Sequence, residues 1–183
     1  LPSVADAQST PTLYVGGPTP DFATIQEAVD AATAGVETII VIAEGTYTDE
    51  RVGSSNGIGF INFPLRDNKL VTLQCAVEDA TTPRCIIQGR SDATTTIFRP
   101  IMVVSSDNIV TVNHITFQGN TNFVGGGGIV NGADGDLTLN QCHVKDNIAD
   151  DGGGIFNNGG TVTLNECHVK DNILADEGGG IYN

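Results

Sequence analysis

The stretch from Asp136 to Asn183 is one motif written twice: DLTLNQCHVKDNIADDGGGIFNNGG is followed directly by TVTLNECHVKDNILADEGGGIYN. Leu139 and Leu164, Cys142 and Cys167, His143 and His168, and Asn147 and Asn172 each stand 25 residues apart. A fainter copy, IVTVNHITFQGNTNFVGGGGIVNGADG, runs from Ile109 to Gly135. Repeats of this length mark a solenoid, in which no unit buries its apolar face alone and stacking on a neighbour does so. The repeat constrains the fold far more than the chemistry.

Within the second copy, Leu137 and Leu139 alternate with Thr138, and Cys142 and Val144 alternate with His143. This period of two predicts short strands with small or apolar side chains on one face. Asn140 and Gln141 interrupt it, which predicts a tight corner, with Asn taking the left-handed backbone it tolerates. A short acidic loop then leads to GGGIFN, whose Ile155 starts a third strand. Three strands and three corners per repeat of about 25 residues predict an all-β fold, the parallel β-helix, with rungs about 4.8 Å apart. A solenoid of helical repeats competes poorly, because glycine triplets do not suit helix interiors.

The same register stacks like on like. Ile115, Cys142 and Cys167 form one inward column, and Phe117, Val144 and Val169 another. Three asparagine ladders are expected: Asn113, Asn140 and Asn165; Asn120, Asn147 and Asn172; and Asn131, Asn157 and Asn183. Stacked amides hydrogen-bond along such a column.

NECHVKDNILADEGGGIYN resembles the repeats of bacterial surface proteins with right-handed parallel β-helices, including the chlamydial polymorphic outer-membrane proteins. Those pair a GGA-I-like motif with an F-x-x-N-like motif. Gly152 to Ile155 and Gly178 to Ile181 match the first; Phe117 to Asn120 keeps the second, and Val144 to Asn147 and Val169 to Asn172 put valine in place of the aromatic. The resemblance covers 109–183 and implies a right-handed single-stranded β-helix in an adhesin-like or passenger-like setting.

The N-terminal third differs. Ile25, Ala28, Val29 and Ala32 have helical spacing over about 24–34, with Thr24 as N-cap and Gly35 as stop. Ile39 to Ile42 then read as a continuous apolar strand. Phe22, Thr24, Ile25, Gln26, Ala28, Gly45 and Tyr47 resemble the first segment of the pectate-lyase and pectin-methylesterase superfamily, F-x-T-I-Q-x-A leading to G-x-Y. That resemblance implies an N-terminal capping α-helix over the open end of the β-helix, where it protects unpaired strand edges. The chain thus divides into a polar leader (1–12), the cap with the first strand (13–52), irregular rungs with loops (53–108) and regular rungs (109–183).

At 183 residues this is one domain's worth of chain, and no stretch is apolar enough to span a membrane as a helix. The net charge of −14 argues against nucleic acid and anionic membranes as partners. Four cysteines point to an oxidising compartment. Cys75 and Cys85 flank a short polar loop and suit a local disulfide. Cys142 and Cys167 stack inside the coil, and a disulfide and a pair of free thiols both stand open there. Ala5-Asp6-Ala7 has the form of a small-x-small cleavage site without the apolar region that precedes one. Export rests on the cysteines and the resemblance.

The acidic segments are the first site candidates. Asp150 and Asp151 stack near Asp176 and Glu177, with Asp146 and Asp171 close in sequence. Like charges on adjacent rungs repel, and calcium, a hard cation taking oxygen ligands, would relieve this; a solvated acidic edge is the plainer alternative. His143 and His168 stack on the outward face one rung after Thr116, without an evident third metal ligand. Lys145 and Lys170 form a similar column beside Asp146 and Asp171, where exposed ion pairs contribute less than about 1 kcal/mol each. No catalytic residue is assigned. Lyases, esterases and glycoside hydrolases on this fold use arginines or carboxylates across a groove. Arg66, Arg84, Arg90 and Arg99 all lie in the irregular region and outside any recognisable motif.

The chain stops at Asn183 after a single strand of its rung, leaving open a longer natural chain or completion of the edge by another molecule. The leader would reach such a neighbour and give head-to-tail filaments. The expectation is a secreted or cell-surface structural or adhesive protein whose partners are copies of itself or surface glycans and proteins. The alternative is a carbohydrate-active or carbohydrate-binding protein using the irregular loops.

Overall fold

A computed structural model describes residues 9–48, 60–77, 83–90, 100–122, 125–177 and 179–183. Strand β1 (Thr12–Val15) and helix α1 (Ile25–Ala31) come first. They are followed by β2 (Glu37–Ile42), β3 (Gly45–Thr48) and β4 (Ile61–Phe63), then by β5 (Leu70–Cys75), β6 (Cys85–Gln88) and β7 (Met102–Val104). The third group is β8 (Ile109–Asn113), β9 (Ile115–Gln118), β10 (Thr121–Asn122) and β11 (Ile129–Asn131). The fourth is β12 (Asp136–Asn140), β13 (His143–Lys145), β14 (Ile148–Asp151) and β15 (Ile155–Asn157). The last is β16 (Thr161–Asn165), β17 (His168–Lys170), β18 (Ile173–Glu177) and β19 (Ile181–Tyr182).

The chain is all-β with parallel sheets and, among the described residues, one helix. Each group supplies one strand to each sheet. The orders are β1-β2-β5-β8-β12-β16, β3-β6-β9-β13-β17, β4-β7-β11-β15-β19 and, from the third group on, β10-β14-β18. Register follows the repeat: Leu137 and Leu139 of β12 lie opposite Val110 and Val112 on one side and Val162 and Leu164 on the other. Alternate residues point inward, so Ile40, Leu73, Val112 and Leu139 are fully buried in one column and Ile87, Phe117 and Val144 in another. At roughly 25 cal/mol per Å² of apolar surface, this shared core is the main term holding the groups together.

Helix α1 is set by its first turn. The Glu27 N–H donates to Thr24 Oγ1 at 3.2 Å and the Thr24 N–H donates to Glu27 Oε2 at 3.0 Å, a reciprocal capping box. Ile25, Ala28 and Val29 are buried, and Ala32 leaves the helical conformation, so the helix is shorter than the 24–34 that its periodicity predicts. Its polar side closes a sheet edge: Gln26 Nε2 donates to the Asn62 carbonyl at 3.0 Å, and the Asn62 N–H donates to Gln26 Oε1 at 2.7 Å. One side chain thereby satisfies both backbone groups of a residue on edge strand β4.

Two corner readings are corrected. The left-handed residue is not Asn140 but its neighbour Gln141 (φ 51°), with His114 (φ 57°) and Glu166 (φ 53°) in the flanking repeats. The acidic segments are not loops: Ile148–Asp151 and Ile173–Glu177 are strands β14 and β18, so the last three repeats carry four strands rather than three.

Candidate functional site

The sheet β5-β8-β12-β16 turns a regular face outward, with two uncharged columns at its centre and Asp136 at one edge. Thr72, Thr111, Thr138 and Thr163 lie in one column in continuous register. Beside it Asn113, Asn140 and Asn165 form a hydrogen-bonded amide column: Asn140 Nδ2 donates to Asn113 Oδ1 at 2.8 Å, and Asn165 Nδ2 donates to Asn140 Oδ1 at 2.7 Å. Adjacent positions in a column are about 4.8 Å apart, and the two columns about 6.6 Å. The ladder bonds fix the amides in one orientation, so the face is pre-organised. The amide column is set by the repeat; the threonine column beside it, missed in sequence, is signalled by the T-x-N triplets TVN and TLN.

In the other two asparagine columns Asn120, Asn131, Asn147 and Asn157 are buried and bind backbone and one another. Asn147 is fully buried; its Oδ1 accepts the Asn120 N–H at 3.1 Å, and its Nδ2 donates to Asn172 Oδ1 at 3.1 Å and to the Phe117 carbonyl at 3.3 Å. Asn120 Oδ1 in turn accepts the Arg90 N–H at 3.1 Å. Asn131 Nδ2 donates to Asn157 Oδ1 at 2.9 Å, and Asn157 Nδ2 to Asn183 Oδ1 at 2.6 Å. These columns close corners where ladder pairing stops, and they serve the fold.

On β13 and β17, His143 and His168 meet edge to face with ring centroids 4.9 Å apart. Burial, then the charges of His168, Lys170 and Lys145, hold the His143 imidazole below its ordinary value. Thr116, their neighbour on β9, is buried rather than exposed. Lys145 and Lys170 pair with Asp146 and Asp171 at 3.2 and 3.9 Å. Glu177 lies opposite Asp151 in the backbone register of β14 and β18, across an irregularity after Ala149. The side chains of Asp176 and Glu177 lie outside the described part. Among the described residues no three metal-binding side chains come together at Asp150 and Asp151 or elsewhere.

Cys75 and Cys85 form a disulfide across the corner between β5 and β6. Cys142 and Cys167 are free thiols in adjacent repeats, the first buried and the second half-buried. Of the arginines, Arg84 pairs with Glu44 at 3.4 Å, Arg66 sits in a left-handed turn, and Arg99 lies outside the described residues. Comparison with protein-family models, with curated proteins and with solved structures finds no match.

Proposed function

We propose that this chain is a right-handed single-stranded parallel β-helix, exported and working as a structural or adhesive rod at or outside the cell surface. The observation that carries this reading is the outward threonine and amide array on β5, β8, β12 and β16, two uncharged, hydrogen-bonded columns on a protein of net charge −14. Right-handedness follows from the strong preference of parallel crossovers for that hand. The Cys75–Cys85 disulfide fits an oxidising compartment. A flat array of hydroxyls and amides suits many weak, repeated contacts with a neutral hydrogen-bonding surface such as a glycan, whose affinity grows by multivalency.

The test is retention of the chain on a panel of immobilised neutral glycans, beside a variant carrying Thr111→Lys, Thr138→Lys and Thr163→Lys. Loss of retention in the variant, with an unchanged circular dichroism spectrum, is the expected result. Equal retention of both chains, or none by either, would remove this face from the function.

A further inference from the structure

The inward column that begins with the bridged Cys85 continues through Ile115 to Cys142 and Cys167. At the corner from β12 to β13 and its copy from β16 to β17, ladder pairing is interrupted at one bond. The Gln141 N–H donates to the Asn165 carbonyl at 2.8 Å and the His168 N–H to the Cys142 carbonyl at 2.9 Å, but the Cys142 N–H donates to Cys167 Sγ at 3.4 Å. Cys142 Sγ also lies 3.3 Å from the Asn140 carbonyl oxygen, and Cys167 Sγ 3.3 Å from that of Asn165. Both thiols therefore sit just after the left-handed residues Gln141 and Glu166, outside the strands, at a step where sulfur takes the place of one of the two ladder bonds of Cys142.

We propose that Cys142 and Cys167 are a cross-repeat redox pair, closing to a second disulfide when they meet a small-molecule disulfide such as oxidised glutathione. Stacked residues of adjacent strands are about 4.8 Å apart at Cα, inside the range that a disulfide spans. Their Cβ atoms start slightly farther apart than a bridge prefers, and a corner that lacks one of its ladder bonds is where that distance closes most easily. The two sulfurs have different roles. A hydrogen bond from the Cys142 thiol, with burial opposing it, holds the Cys167 thiol below its ordinary value, so Cys167 is the more readily ionised of the two. The same hydrogen bond, followed by burial, pushes the Cys142 thiol up.

The electrons balance in two exchanges. The Cys167 thiolate attacks one sulfur of oxidised glutathione, forms a protein–glutathione mixed disulfide and releases one glutathione thiolate. Cys142 then loses its proton to that thiolate or to water and attacks the Cys167 sulfur, releasing the second glutathione. Two protein thiols are oxidised to one disulfide, and one glutathione disulfide is reduced to two thiols. Such a bridge ties one repeat to the next, unlike Cys75–Cys85, which closes a corner within one repeat.

The experiment treats the full native chain with oxidised glutathione, then denatures, alkylates and digests it for mass spectrometry. The expected result is a peptide joining Cys142 to Cys167, lighter by two hydrogens than the separate peptides, with both residues closed to alkylation. A Cys142→Ser chain should stop with glutathione on Cys167, and a Cys167→Ser chain should leave Cys142 free. Free alkylation of both cysteines after treatment of the unsubstituted chain would overturn the proposal. So would separate glutathione adducts on both, or a bridge between two molecules.

Discussion

Single residues in this chain act through position in a column. His143 is the clearest case for pH. Its imidazole is held below its ordinary value of about 6.5, so the folded protein binds fewer protons there than the unfolded chain. The resulting stability is present above about pH 6.5 and is lost as pH falls through the folded value. Thermal midpoints measured from pH 7.5 to 5 should therefore decline, and His143→Gln should flatten part of that decline; identical slopes would show that the His143–His168 contact does not couple to folding. Asn147 makes a larger demand, because its fully buried amide holds three partners in two repeats. Asn147→Ala leaves the Asn120 N–H and the Phe117 carbonyl without those bonds and should cost about 2–3 kcal/mol, read as a drop in the urea midpoint at unchanged slope.

At the scale of elements, what holds strands and helix in place often comes from another repeat. Helix α1 has no basic residue in its last turn, yet Lys69 supplies one from just before β5: its Nζ donates to the Ala32 carbonyl at 2.7 Å and lies 3.4 Å from that of Asp30. The ammonium stands where the helix dipole is negative and orphan carbonyls need donors. Lys69→Met keeps the stem but not the charge and should cost about 1–2 kcal/mol, with the loss in hydrogen exchange concentrated in 25–32. Repeats also meet backbone to backbone at the glycine triplets, where a Cβ on Gly154 would stand 2.5 Å from the Gly180 carbonyl oxygen. Gly154→Ala should therefore destabilise by about 1–3 kcal/mol through crowding alone, which a denaturant titration would detect. Much of this level is legible in the sequence, because a spacing of 25 residues fixes strand register in β12, β13, β16 and β17. The acidic strands are not legible. IADD has weak strand propensity, and its pairing comes from neighbours: the Ile148 N–H donates to the Asn120 carbonyl at 2.7 Å and that of Ile173 to Asn147 at 2.8 Å. The corners mislead for a related reason, since the closing strand rather than residue type sends Gln141 and Glu166, neither a turn former, into the left-handed region.

For the whole molecule, the arrangement of sheets sets how stability is distributed. Among the described strands each repeat pairs only with the one before and the one after, so the core is a sum of neighbour interfaces rather than one closed centre. The outward array is legible only at this scale, because no single threonine or asparagine in it is unusual and its meaning lies in being copied in register. The same additivity makes a prediction that a closed globular core would not. A chain ending at Asn157 loses β16 to β19 and exposes Leu137, Leu139 and Val144 at its new end, but leaves the interface between β5 and β8 intact. It should stay folded, with a parallel-β circular dichroism spectrum and a lower urea midpoint. Its unfolding slope should fall by roughly one-seventh, the share of chain removed, because slope scales with surface exposed. Hydrogen exchange in 71–75 and 110–113 should be unchanged within error, while 137–145 loses protection. Complete loss of structure on removing 158–183 would mean that the repeats fold as one indivisible unit, and the neighbour-by-neighbour account would have to be given up.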